Sequence, residues 1–187
     1  MVSTTDFKKG IYIQMDNVPF QILEFQHVKP GKGNAFVRTR IKNLLNNNVI
    51  DKTFKSGESL EEPDIEKRRM QYLYHDGSLY QFMDLDLYEE VALTPDNVGD
   101  NKNYLIENLE IEVLYYNGRP IALSLPNFVE LKVTYCENAL KGDTVSGGGK
   151  PATLSTGVII SVPYHISLND VLKIDTRSGE YVEKVKS

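Results

Sequence analysis

Apolar and polar residues alternate with period two in short runs at 11–15, 20–28, 35–44, 71–74, 79–83, 111–116, 128–135 and 158–162. Such alternation sends successive side chains to opposite faces of a pleated strand, and Gly, Asn, Asp or Pro punctuates the runs here. The pattern predicts an all-β protein. No 3.6-residue periodicity is sustained, so only two short helical pieces are expected, at 64–69 and 101–107.

Two of these runs flank the stretch Lys29-Pro30-Gly31-Lys32-Gly33-Asn34. Pro30 fixes its own φ, while Gly31 and Gly33 allow positive φ and carry no side chain to cover the lysine between them. Lys32 is therefore expected to be presented at a hairpin tip. In the run after it, Val37, Thr39 and Ile41 share one face and Arg38, Arg40 and Lys42 the other. Residues 26–55 hold seven Lys or Arg against one acid, Asp51, a local charge of +6 in a chain whose total is −5. One reading is a polyanion docking on this hairpin. The other is an ordinary hairpin turn beside a solvated charged face.

Length and composition narrow the setting: 187 residues, 41% hydrophobic and 25% charged, fit a soluble globular protein of more than one small domain. The first ten residues contain no apolar signal-like region, and no apolar run approaches the ~20 residues that span a bilayer. A cytoplasmic protein without membrane contact is expected. Cys136 is the only cysteine, which excludes an internal disulfide and a multi-cysteine metal site, and its strand setting predicts a small core residue. His27, His75 and His165 show no metal-ligand spacing, so neither metal nor cofactor is expected.

Composition shifts near Asp64 and Pro126-Asn127 divide the chain into 1–63, 64–126 and 127–187, each the size of one small barrel, with net charges of +2, −7 and 0. Nucleic-acid contact should favour the two ends. A lone sixty-residue domain buries only about 60% of its unfolded surface, so the first two barrels are expected to pack together.

Several motifs occur in order. They are Val28-Lys29-Pro30-Gly31-Lys32-Gly33, Thr53-Phe54-Lys55-Ser56-Gly57-Glu58, Met70-Gln71-Tyr72-Leu73-Tyr74 with Phe82-Met83-Asp84, and Gly142-Asp143-Thr144. Lys150-Pro151-Ala152-Thr153-Leu154-Ser155-Thr156-Gly157 and Asp175-Thr176-Arg177-Ser178-Gly179-Glu180-Tyr181 complete the series. Together they resemble bacterial translation elongation factor P over the whole chain. The resemblance implies a KOW/SH3-like N-terminal barrel carrying the modification hairpin, then two OB-fold barrels, in an L-shaped arrangement like a transfer RNA. It also implies a monomeric accessory factor, not an enzyme, that binds the 70S ribosome between the peptidyl and exit sites and stimulates peptide-bond formation at consecutive prolines.

On that resemblance Lys32 is the functional and modified lysine, in a loop with Pro30, Gly31, Gly33 and Asn34. Lys29, Arg38, Arg40 and Lys42 would lie along the peptidyl transfer RNA. Gly142, Asp143 and Thr144 would approach messenger RNA in the exit site. Many family members extend the lysine by a β-lysyl or another aminoalkyl group, which makes a lysine-modifying enzyme a further partner. A lysine ammonium is a poor general base at neutral pH, so the expected role is to position the CCA end by charge and hydrogen bonds. Other readings are a paralogue acting on different stalls, a general RNA-binding OB protein and a swinging-arm carrier. The carrier fits poorly because Lys32 sits between glycines, and Pro151 after Gly149-Lys150 excludes a phosphate-binding P-loop.

Overall fold

The computed structural model describes residues 1–138 and 148–185. Among them the chain forms sixteen strands, one α-helical turn and two short 3-10 segments. After β1 (Val2–Ser3), four strands form an antiparallel sheet in chain order: β2 (Tyr12–Met15), β3 (Val18–Val28), β4 (Phe36–Asn43) and β5 (Val49–Lys55). β6 (Ser59–Leu60) returns to pair with β1. The alternation on β4 holds residue by residue, with Val37, Thr39 and Ile41 buried, Arg38 and Arg40 exposed and Lys42 half-buried. Val37 and Ile41 join Ile13, Ile22 and Phe54 in one core. There the Phe7 and Phe54 rings meet edge to face at 5.8 Å.

A five-stranded sheet follows, with β7 (Ile65–His75), β8 (Tyr80–Asp84), β9 (Glu90–Leu93), β10 (Glu110–Tyr116) and β11 (Arg119–Ser124) in the order β11-β10-β7-β8-β9. The helical piece expected at 64–69 is instead the start of β7. Six residues are too few to hold an isolated helix, and the segment instead runs directly into β7, which lies between β10 and β8 in the sheet. The second expected helix is displaced toward the N-terminus. Thr94 caps α1 (Pro95–Val98), its hydroxyl oxygen accepting from the Asn97 amide at 3.2 Å, and a 3-10 segment continues over Gly99–Tyr104.

The third sheet has the order β14-β13-β12-β15-β16, built from β12 (Phe128–Cys136), β13 (Lys150–Leu154), β14 (Ile159–Val162), β15 (Val171–Asp175) and β16 (Glu180–Lys184). Leu131, Val133, Leu154, Ile166 and Leu172 centre its core. Cys136 packs at the edge of this core, and its thiol lies 3.8 Å from the Ile166 carbonyl.

Two compact units gather these elements: residues 1–67 with 114–122, and residues 68–113 with 123–187. In the first, Leu114 and Ile121 are buried with Leu44, and the Tyr116 hydroxyl lies 3.2 Å from Gln14 Oε1 and 3.1 Å from the Asn17 carbonyl. In the second, Tyr104, Ile106 and Leu109 pack against the third-sheet core, and the Thr156 hydroxyl donates to the Asn103 carbonyl at 2.6 Å. Thr176 holds the 126–127 junction, its hydroxyl donating to the Pro126 carbonyl and its amide to that of Asn127.

Candidate functional site

The β3–β4 ladder runs from Phe20 opposite Asn43 to Val28 opposite Phe36, with one register shift between Ile22 and Glu24. Beyond the last pair the chain turns through residues 29–35, and Lys29, Pro30, Gly31, Lys32, Gly33 and Asn34 are all exposed. The two glycines differ. Gly33 adopts φ +107°, where a side chain is strained, while Gly31 has no positive φ and open space where a Cβ would stand.

The base of the turn is tied to the rest of the sheet. Ala35 O accepts from the Ser56 amide at 3.0 Å. Thr4, fully buried, donates to the Lys55 carbonyl at 3.0 Å and accepts from the Gly57 amide at 2.9 Å. On β4 the buried Thr39 donates to the Lys52 carbonyl at 2.7 Å, and the Arg38 guanidinium sits 5.4 Å over the Phe36 ring. The tip is thus carried by a hydrogen-bonded platform.

Pairing across β3, β4 and β5 defines rows on the outward face. Arg38 lies between Gln26 and Thr53, Arg40 between Glu24 and Asp51, and Lys42 between Gln21 and Val49. A shallow depression of about 470 Å³ crosses the first two rows. The uniformly cationic face expected from residues 26–55 is therefore interrupted at Arg40. Glu24 lies two residues before the counted window, yet its side chain shares the face of Gln26 because strand neighbours at i and i+2 do. Among the described residues none of Lys29, Lys32, Arg38, Arg40 and Lys42 forms an ion pair. Their charges are available to a ligand.

Gly142, Asp143 and Thr144 lie outside the described residues. On the C-terminal side of that stretch Lys150 is buried and donates to the Glu137 carbonyl at 2.6 Å. Gly149 is packed so closely that an added Cβ would stand 2.6 Å from the Val162 carbonyl oxygen. Among the described residues no group of three or more His, Cys, Asp or Glu could hold a metal, and no helix is long and apolar enough to cross a membrane.

Three domain families cover nearly the whole chain: the elongation factor P KOW-like domain at residues 3–60, its OB domain at 65–123 and its C-terminal domain at 129–184. The four-stranded first sheet and the five-stranded second one fit the KOW-like and OB descriptions. An elongation factor P of Pelotomaculum thermopropionicum is 49% identical over 185 residues, spanning 99% of this chain and 100% of its own length. One from Helicobacter hepaticus is 47% identical over 185 residues, covering 99% of both chains. Among solved structures, eukaryotic translation initiation factor 5A from Methanococcus jannaschii aligns with a TM-score of 0.49 at 27% identity, over 66% of this chain and 93% of its own. An all-β chain of KOW-like and OB domains is the class that the three domain families define. The chain belongs to the elongation factor P family of translation elongation factors.

Proposed function

We propose that this protein binds the ribosome between the peptidyl and exit sites and stimulates peptide-bond formation at consecutive prolines by positioning the peptidyl transfer RNA. The observation that carries this reading is the place of Lys32. It stands exposed beyond the last β3–β4 pair, on a turn whose base is hydrogen-bonded into the sheet and whose flanking charges are unpaired among the described residues.

Proline is a slow acceptor because its nitrogen belongs to a rigid ring, and successive prolines misplace the reacting ester. Lys32 acts as a cationic arm that holds the CCA end, while Lys29, Arg38 and Lys42 contact phosphates further along, with Arg40 a weaker contributor. Each ~1.36 kcal/mol removed from the barrier speeds the step tenfold, so two or three such contacts give a large acceleration. The ribosome remains the bond-forming catalyst. An aminoalkyl extension of Lys32, such as β-lysyl, lengthens the arm, and the open space around Gly31 leaves a modifying enzyme access. Gly142, Asp143 and Thr144 approach messenger RNA in the exit site, the protein acts as a monomer, and its compartment is the cytoplasm.

The test is the rate of Pro-Pro-Pro synthesis on purified ribosomes without factor, with protein purified from its native host, and with that protein's Lys32→Ala variant. A proline-free template serves as control. Acceleration confined to the proline template and lost in the variant is expected. No acceleration by the host-purified protein overturns the reading.

A further inference from the structure

The β5 strand leaves one side of the first sheet open. Bonds at both ends of the β4–β5 pairing, from the Ser56 amide to the Ala35 carbonyl at 3.0 Å and from the Asn43 amide to the Asn48 carbonyl at 2.8 Å, fix the phase of the ladder. Bonded and non-bonded pairs alternate between antiparallel strands, so Ile50, Lys52 and Phe54 turn their amides and carbonyls to β4, while Val49, Asp51, Thr53 and Lys55 turn theirs outward. Lys55 is met from within the chain, its carbonyl accepting from Thr4 at 3.0 Å and its amide donating to the Glu58 carboxylate at 2.9 Å. β5 is the edge of its sheet, and among the described residues nothing bonds to the outward groups of Val49, Asp51 or Thr53. Ile50, opposite the fully buried Ile41, is still 44% exposed, with no strand beyond β5 to cover it. Of the devices that shield such an edge, a bulge, a proline or an inward charge, residues 49–53 have only the Lys52 side chain. The edge is an open template for one more strand.

Where the edge leads decides what that strand belongs to. β5 runs toward Lys55, which stands opposite Phe36 at the base of the Lys32 turn. A chain paired along residues 49–53 is thereby held in fixed register with Lys32. The tip itself offers little to read, because Gly31 and Gly33 flank the lysine without side chains. Asp51, central on the edge, disfavours a phosphate backbone, whereas alternating amides and carbonyls bond to another extended peptide. We propose that the enzyme extending Lys32 recognises this protein by laying a strand of its own along the open edge of β5, with an apolar side chain over Ile50. This rests on the reading above that Lys32 is modified.

Thr53→Pro removes an outward amide and no ladder bond, a substitution that edge strands accept, so its thermal midpoint should stay close to that of the unaltered protein. Thr53→Val keeps the amide. After brief expression in the native host, mass spectrometry of the Lys32 peptide should show modification of Thr53→Pro slowed about tenfold, the effect of leaving a partner carbonyl unpaired, and Thr53→Val modified like unaltered protein. Ile50→Lys places a charge where the added strand must pack and should slow modification independently. Equal modification of all three variants and the unaltered protein overturns the proposal, as does an equal loss in Thr53→Val, which would assign the effect to the side chain. Normal modification of Thr53→Pro together with weakened ribosome binding also overturns it and assigns the edge to a ribosomal chain. Unaltered protein that carries no added mass on Lys32 overturns both the proposal and the modification reading.

Discussion

Arg40 on β4 stands opposite Asp51 on β5, with Glu24 of β3 on its other side, so the guanidinium in the middle of the cationic strand is the one flanked by two carboxylates. Arg38, two residues nearer the Lys32 tip, has only Gln26 and Thr53 beside it. Positive potential on this face therefore rises toward the tip.

A difference between the two arginines follows. Arg38→Ala should weaken ribosome binding and lower the salt dependence of affinity by about one phosphate contact. Arg40→Ala should cost clearly less, and Glu24→Gln with Asp51→Asn should tighten binding. Dissociation constants measured at several salt concentrations give the comparison, and equal losses for the two arginines would contradict the arrangement of rows.

The tip glycines should also separate. Gly33 uses φ +107°, so Gly33→Ala is expected to cost about 1 kcal/mol of stability and to blunt stimulation by misdirecting Lys32. Gly31→Ala meets open space without positive φ and should stay within about 0.5 kcal/mol of the unaltered protein. Urea unfolding of both variants checks this, and indistinguishable stabilities would rule out the conformational argument.

Much of this could be read from the sequence because the strands are short and half-buried, which writes alternation directly into the chain. The alternation puts Val37, Thr39 and Ile41 on one face, and all three are buried. What escaped depended on pairing between distant strands. The residues at 64–69 look too charged for a strand, yet β7 is placed by its partners on both sides. Glu24 meets Arg40 only once the β3–β4 register is known. The family motifs also do structural work that spacing does not reveal: Tyr72 pairs with Phe82 across β7 and β8, and Thr156 bonds to Asn103.

Close packing at Gly149 gives a third expectation. An added Cβ would stand 2.6 Å from the Val162 carbonyl oxygen and 2.7 Å from Ser161 Oγ. Ser161 can rotate away but the carbonyl cannot, so Gly149→Ala should lose about 1–3 kcal/mol. Ser161→Ala in the same chain should restore little of it. Full recovery in the double variant would show that the hydroxyl, and not the backbone, sets the limit.

Acid stability offers a test at the Asp175-Thr176-Arg177 turn. The Arg177 guanidinium donates to both carboxylate oxygens of Asp175, from Nε at 3.0 Å and from Nη2 at 2.7 Å, and the Arg177 amide adds a third bond at 2.9 Å. These bonds favour the ionised form and bring the Asp175 carboxyl down to about 2. Because the folded value lies below the unfolded one of 3.8, the contribution is fully present above about pH 4 and is lost as pH falls toward 2. Asp175→Asn should therefore lower stability by a constant amount from neutral pH down to about 4, and the gap to the unaltered protein should close between 4 and 2. Arg177 also lies 5.4 Å over the Phe128 ring, a contact that does not need the carboxylate, so the variant should keep its turn. The carboxyl carbon of Asp175, followed by NMR through the acid range, should titrate near 2. A midpoint near 3.8 would mean that the bidentate pair does not persist in solution.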